Sequence, residues 1–393
     1  MRIAVPKETA PEEKRVAITP DTVKRLVAKK FEVSVQRGAG VGSQISDADY
    51  EAAGARIEPD AAALWAAGDL VVKVRQPTDA EIGLLREGAA LASLLYPLVN
   101  ADLVQQLAAR KATVMASDMI PRTTLAQMMD VLSSQASIAG YRAVLLGAEA
   151  CPKMFPMMMT AAGTISPSRV LILGAGVAGL QAIATARRLG AIVEVFDVRK
   201  VVKEQVESLG AKFVEVPSEE DGAGSGGYAK EVSEEYKKKQ AALIQLHLSR
   251  ADVVITTALI PGRKAPILVT AEQVKGMKAG AVIVDLAAEQ GGNCELTQPG
   301  QRVTTDNGVV IVGERNLPSQ VAVHASQMYS RNMEKLILHV TKDAALVLDA
   351  ADEIVKGMTI VRDGTVVHEQ VATAMAATKS DKADKTDKKE LAA

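Results

Sequence analysis

The chain has 393 residues, 48% of them hydrophobic and 24% charged, and its 46 Lys and Arg against 47 Asp and Glu leave a formal net charge of -1. That length suits two domains of ordinary size, and the balanced charge, with no basic stripe, argues against nucleic acid and for a small molecule or another protein as partner. Two cysteines, Cys151 and Cys294, and four scattered histidines give no disulfide framework and no metal site, and the most apolar run, "GAALASLLYPLV" at 88–99, is well short of a spanning helix. The N-terminal "MRIAVPKET" has no apolar signal core, so a reducing compartment and no membrane insertion are expected.

In chain order, strand-like runs "RIAVP", "FEVSVQRG", "ARIE", "LVVKVRQP", "ALASLLY" and "ATVMASDM" alternate with helical patterns, the first from about Thr19. The stretch "SDMIPRTTLAQMMDVLSSQ", 117–135, then sets Arg122, Gln127, Asp130, Ser133 and Ser134 among methionines and leucines. Buried polar groups need partners, so this is either a capped helix start or a site for a polar ligand. A long helical pattern begins near Gln135 and leads through "FPMMMTAAGTISPS", whose methionines 157–159 read as gap fillers in a core or interface. A second set of strands follows: "RVLIL", "IVEVFDV", "KFVEVP", "DVVITTAL", "AVIVDLA" and "VVIVG". After about Val323 come a helix and "MTIVRDGTVV", where Asp363-Gly364 predicts a hairpin turn.

The order predicts an α/β protein of two Rossmann-like domains with parallel sheets, the second inserted into the first. The first domain is expected over 1–134 plus 325–372 and the nucleotide-binding domain over 135–324. A charged tail without aromatic or branched apolar residues is expected to be disordered over 373–393.

"GAGVAG", 174–179, has G-x-G-x-x-G spacing, follows the strand "RVLIL" and opens an amphipathic helix. In that context Gly174 permits the tight turn, Gly176 lets a pyrophosphate approach the backbone, Gly179 allows close helix–strand packing, and the helix N-terminus adds partial positive charge. Asp197, at the end of the next strand, suits an adenosine ribose and repels a 2′-phosphate, which predicts NAD(H) over NADP(H). Arg199 is placed on the surface or adenine side. "DGAGSGGYAK", 221–230, reads either as a plain linker or as a lid in which Tyr228 covers a ligand. "TTALIPG", 256–262, begins at the carboxyl edge of the sheet, beside the nucleotide.

"RIAVPKE…RVAITP", "RGAGVGSQISDADY", "GAGVAGLQAIATARRLGA", "TTALIPGRKAPILVT" and "VIVDLAAEQGGNCE" resemble two related families, alanine dehydrogenase and the NAD(H)-binding component of proton-translocating transhydrogenase. "PRTTLAQMMDVLSSQASIAGYRAV", "MTAAGT" and "GGYAKEVSEEYKKKQ" are similar to the transhydrogenase specifically. The resemblance implies a two-domain α/β fold and makes Arg122, Gln127, Asp130 and Ser133 contacts of NAD(H). It carries over Ala175, Gly176, Val177, Asp197, Val198, Arg199, Gly227, Gln240 and Leu259 as further nucleotide contacts, with Tyr228 as a mobile-loop tyrosine.

An amino-acid dehydrogenase needs cations for a carboxylate and a general acid/base beside the nicotinamide. Arg15 and Lys73 match its substrate-binding positions, but its histidine is absent, the position falling near Tyr96, and its catalytic Asp corresponds to Glu289. Arg15 and Lys73 are therefore expected as inherited ion pairs. Direct hydride transfer between two nicotinamides needs no such acid, only oriented rings and excluded water. Gln127 is the candidate for orienting the nicotinamide end, with Arg122 and Asp130 holding Gln127 or the ribose. One nucleotide fingerprint and no membrane segment then place NADP(H) and the proton path on NADP-binding and transmembrane partner subunits. The resemblance further implies a homodimer, peripheral at the cytoplasmic face of a bacterial membrane, with the charged tail resembling the arrangement of separate subunits. The alternatives are a soluble alanine or related amino-acid dehydrogenase and a non-catalytic NAD-binding regulatory module.

Overall fold

The computed structural model describes residues 1–216, 233–259 and 264–378. Gly227, Tyr228 and the rest of the loop 221–230 lie outside the described residues, as do 260–262 of "TTALIPG" and the tail from 379. Contacts divide the chain into two units, Met1–Ser134 with the residues from Ala322 onward, and Gln135–Val321.

In the first unit the sheet order is Thr365–Val366, Thr359–Arg362, Thr113–Ala116, Ala90–Ser93, Leu70–Val72, Arg2–Val5, Glu32–Gln36, Arg56–Glu58. The pairs are parallel except at one end, where Thr359–Arg362 runs antiparallel to both neighbours. Side chains alternate across the strands, so Ile3 and Val5 enter one core with Leu70 and Val72 while Ala4 enters the other with Val71 and Leu91. A sheet covered on both faces gives the near-continuous apolar runs seen in these strands. The terminal hairpin turns through Asp363 at φ 48° and Gly364 at φ 83°, the pair of left-handed residues that a two-residue turn of this twist requires.

In the second unit the order is Lys212–Val214, Ile192–Phe196, Arg169–Leu173, Val253–Thr256, Val282–Asp285, Val310–Val312, Arg302–Thr304. All pairs are parallel except the last. Strand order reverses beside Arg169–Leu173, the kind of switch point where ligands bind at the carboxyl edge. Val170 and Ile172 face one core, Leu171 and Leu173 the other.

Several local expectations change. The long helix starts at Val131, not near Gln135, because Asp130 caps it. The antiparallel edge strand Arg302–Thr304 escapes the sequence pattern, since only Val303 among its residues is even partly buried. Met157 and Met159 are 59% and 74% exposed, beside and within an exposed hairpin, Met158–Thr160 with Gly163–Ile165, and so do not fill a core. Disorder expected from 373 does not hold for 373–378: 369–378 is helical, because Val371 and Met375, one turn apart, pack into the first unit's core. No helix among the described residues is long and apolar enough to cross a membrane.

Candidate functional site: a glycine turn and a polar loop

The strand Arg169–Leu173 feeds directly into the helix Val177–Arg188 through Gly174, Ala175 and Gly176. Each glycine has a separate physical reason. Gly174 sits at φ +106°, and a Cβ there would lie 2.4 Å from Thr257 Oγ1, so its conformation and its neighbour both exclude a side chain. A Cβ on Gly179 would come within 2.0 Å of the Gly174 carbonyl oxygen, which is how closely the helix packs on the turn. Gly176, the N-cap at φ -77°, is different, because a Cβ there would meet no atom within 4 Å. The space is open and lies at the positive end of a helix, beside its unpaired N–H groups, which fits an approaching pyrophosphate.

Asp197 follows the adjacent strand Ile192–Phe196, and its carboxylate accepts the Ala175 N–H at 2.7 Å. The acid thus braces the glycine turn as well as marking its rim. The remaining bonds come from Arg199, whose N–H and Nε reach Oδ1 at 2.9 Å each and whose Nη2 reaches Oδ2 at 2.7 Å. That hydrogen bonding raises the pKa of the Arg199 guanidinium. Arg199, expected as a surface or adenine-side contact, is partly exposed and closes on Asp197. Val198 is partly buried against the core, Val177 is 38% exposed at the start of the helix, and Leu259 is 41% exposed just past the strand Val253–Thr256. Gln240 lies on the helix Glu234–Leu248, half-buried.

Thr257, in the segment 256–262 expected beside the nucleotide but not singled out within it, belongs to this turn. Its hydroxyl donates to the Gly174 carbonyl at 3.0 Å, and its N–H donates to the Leu173 carbonyl at 2.9 Å. The signal was its place directly after a strand at the carboxyl edge.

In the first unit, the polar loop resolves into two components. Asp130 caps the helix Val131–Ala150 by accepting the Ser133 N–H at 2.8 Å and the Ser133 hydroxyl at 2.6 Å. Arg122 and Gln127 are exposed, next to Leu125 at 84% and Met128 at 62% exposure. The capping explanation accounts for Asp130 and Ser133, and Arg122 and Gln127 are left facing outward. Asn332 fastens the loop from behind, donating to the Met128 carbonyl at 2.9 Å.

The dehydrogenase-like positions also lie in the first unit, and their cations are neutralised. Arg15, 4% exposed, meets Glu13 through Nη2 at 2.7 Å, and Arg75 approaches the same carboxylate at 3.3 Å. Lys73, 1% exposed, meets Glu81 at 2.7 Å and Glu8 at 3.6 Å. Burial opposes charge on Glu13, but the hydrogen bonds and charge of Arg15, with Arg75 behind, bring its carboxyl down to about 2. Burial pushes Glu8 up, against the charge of Lys73 and the Val74 amide. Three cations thus face three carboxylates. Tyr96, near which the missing histidine was expected to fall, holds φ 48°, and its N–H donates to Asp118 at 3.0 Å. Glu289 is exposed on the short turn Ala288–Gln290, in the second unit.

Residues 4–139 match the family model described as alanine dehydrogenase/PNT, N-terminal domain, and residues 143–369 match the one for its C-terminal domain. The chain belongs to this family. It is 51% identical over 377 residues to the first portion of the NAD(P) transhydrogenase alpha subunit of Rhodospirillum rubrum, covering 94% of this chain and 98% of that one. A crystal structure of transhydrogenase from Sinorhizobium meliloti superposes with a TM-score of 0.85 at 45% identity, over 93% of this chain and 100% of the other. The alanine dehydrogenase of Halomonas elongata is a more distant relative, 32% identical over 381 residues, with 95% and 96% of the two chains covered.

Proposed function

We propose that this chain is the NAD(H)-binding subunit of a proton-translocating NAD(P) transhydrogenase. Hydride passes directly between NADH held here and NADP+ held on a partner subunit, and a membrane-embedded partner carries the proton movement. NAD(H) gives or takes the hydride at its nicotinamide C4. What this chain contributes is binding and orientation. The open space at Gly176 and the helix N-terminus suit the pyrophosphate, and Asp197 suits the adenosine ribose. In the polar loop, Gln127 orients the nicotinamide end, Arg122 and Asp130 hold Gln127 or the ribose with Ser133 bonded to Asp130, and Leu125 and Met128 give a dry rim. Gly227, Tyr228, Gln240 and Leu259 complete the nucleotide contacts. The same proposal makes the subunit a homodimer, peripheral at the cytoplasmic face of a bacterial membrane.

The observation that carries the choice of reaction is the neutralised cluster at Arg15 and Lys73. A 2-oxo acid substrate needs an uncompensated cation for its carboxylate and a nearby proton donor. Here Glu13 and Glu81 already hold those cations, and no histidine takes the place of the dehydrogenase's near Tyr96. Nothing in direct hydride transfer requires either group. Identity to the transhydrogenase relative exceeds that to the alanine dehydrogenase, in the same direction.

The test is to purify the chain and follow hydride transfer from NADH to an NADP+ analogue with and without an NADP-binding partner, alongside a mixture with pyruvate and ammonium. Turnover that depends on the NADP-binding partner is the expected result. Oxidation of NADH with pyruvate and ammonium alone would replace the proposal with an amino-acid dehydrogenase, and no turnover in any mixture would favour a silent NAD-binding module.

A further inference from the structure

The motif "DLAAEQGGNCELT", 285–297, follows the strand Val282–Asp285 and is wound around one carboxylate. Asp285, 1% exposed, accepts five hydrogen bonds: from the Thr256 hydroxyl at 3.0 Å, the Thr297 hydroxyl at 2.6 Å, and the N–H groups of Ala287, Asn293 and Cys294 at 2.8–3.0 Å. Gly291 and Gly292 turn the chain at φ 95° and 79°, and a Cβ on Gly292 would stand 2.9 Å from Asp285 Oδ2. The loop is thereby drawn tightly onto the acid, and its position delivers Asn293 to a fixed place.

Asn293 is fully buried, and every polar group it owns is used. Its Oδ1 accepts the Ala258 N–H at 3.0 Å, while Nδ2 donates to the carbonyls of Ala258 and Pro266, each at 2.8 Å. Its own carbonyl accepts the N–H groups of Leu268 and Val269 at 2.7 and 3.0 Å. With an acceptor needed at one contact and donors at two, only an amide satisfies this place. Both bonds to Ala258 go to a single residue's N–H and C=O, the pairing a neighbouring strand would give. Ala258 stands between Thr257, which holds the Gly174 carbonyl, and Leu259.

We infer that Asn293 is a positioning residue for nucleotide binding: it clamps the segment 257–259 against the glycine turn, so that Thr257 supports Gly174 and Leu259 faces the ligand. Asn293 touches no ligand itself. The proposal rests on the NAD(H) assignment above and names the buried amide through which the second carboxyl-edge loop controls the first.

The experiment compares Asn293→Ala with Cys294→Ala, whose side chain is equally buried but takes no part in the clamp, by titrating NADH into the purified full chain and measuring thermal stability alongside. Asn293→Ala is expected to weaken NADH binding about tenfold, the scale of a misplaced contact segment. Cys294→Ala is expected to lose stability while keeping affinity within about twofold, as packing losses do. Asn293→Ser, which leaves a smaller hole, should follow Asn293→Ala in affinity. Equal affinity in the wild type and Asn293→Ala, or equal losses in the Asn293 and Cys294 variants, would overturn the inference. Hydrogen exchange on the unmutated chain decides the point should no variant fold. Protection of the Ala258 amide comparable to that of the strand Val253–Thr256 is expected, and exchange at open-loop rates would remove the clamp. A wild-type chain that binds no NADH would instead sink the functional assignment, with the exchange result at Ala258 still readable.

Discussion

The three glycines of the turn make opposite demands, and a single methyl group separates binding from folding. At Gly176 the backbone is already in a region open to any residue and a Cβ would meet nothing within 4 Å. Alanine is a poorer N-cap than glycine but gains from a stiffer unfolded chain, two effects of about 0.5–1 kcal/mol that oppose each other. Stability is therefore expected to stay within about 1 kcal/mol of the original, a change of about 2–4 °C in melting temperature for a unit of this size. The methyl does occupy the space assigned to the pyrophosphate. NADH affinity is expected to fall at least about tenfold, or about 1.4 kcal/mol, read by fluorescence titration or calorimetry. Gly179→Ala is the counterpart: its methyl would sit 2.0 Å from the Gly174 carbonyl oxygen, so the helix must move away at a cost of about 1–3 kcal/mol. A Gly176→Ala chain that binds NADH like the wild type would refute the placement of the nucleotide, whatever happened to its stability.

Asp197→Ala is expected to relax the preference for NADH over NADPH, measured as the ratio of their dissociation constants; an unchanged ratio would show that the acid only braces Ala175 and Arg199. Gln127→Asn is expected to slow hydride transfer in the reconstituted complex with little change in NADH affinity, since it shortens an orienting group without removing charge; a normal transfer rate would count against that role. Glu13 should be visible in the acid stability curve. Its folded pKa, brought down to about 2 against an unfolded value near 4.5, means its contribution is present above about pH 4.5 and is lost as pH falls toward 2. The loss amounts to about 3 kcal/mol. Glu13→Gln should be less stable at neutral pH, leaving Arg15 buried without its carboxylate, and should show a flatter curve over that window in denaturant titrations.

How much of this was legible in the sequence depended on whether a residue's role came from its neighbours in the chain. The turn at Gly174–Gly179 was legible because strand, glycines and helix are contiguous, and the same holds for the turn at Asp363-Gly364. The helix start at Val131 was misplaced because Asp130 and Ser133 satisfy each other's polar groups, a pairing that a count of polar residues reads equally well as a waiting site. Arg199 reads in the sequence as a surface or adenine-side contact, and its fold-back onto Asp197 two residues away is something that no periodicity reveals. Thr257 and Asn293 lie in segments that the sequence picks out, but their contacts are not written there. Each acts through one hydroxyl or amide on a backbone group dozens of residues away.

From the sequence by itself came the α/β class, the parallel strands written as apolar runs, and the type and spacing of the glycine turn, because these follow from local conformation and from burial on both faces of a sheet. Only the tertiary structure decided which carboxylates neutralise Arg15 and Lys73, that Gly176 alone of the three glycines leaves open space, and that Asn293 ties two carboxyl-edge loops together. Such facts depend on which side chains and backbone groups come to rest within a few ångströms of one another, whether near or far in the chain, and a free charge, a paired charge and a clamp are spelled with the same letters.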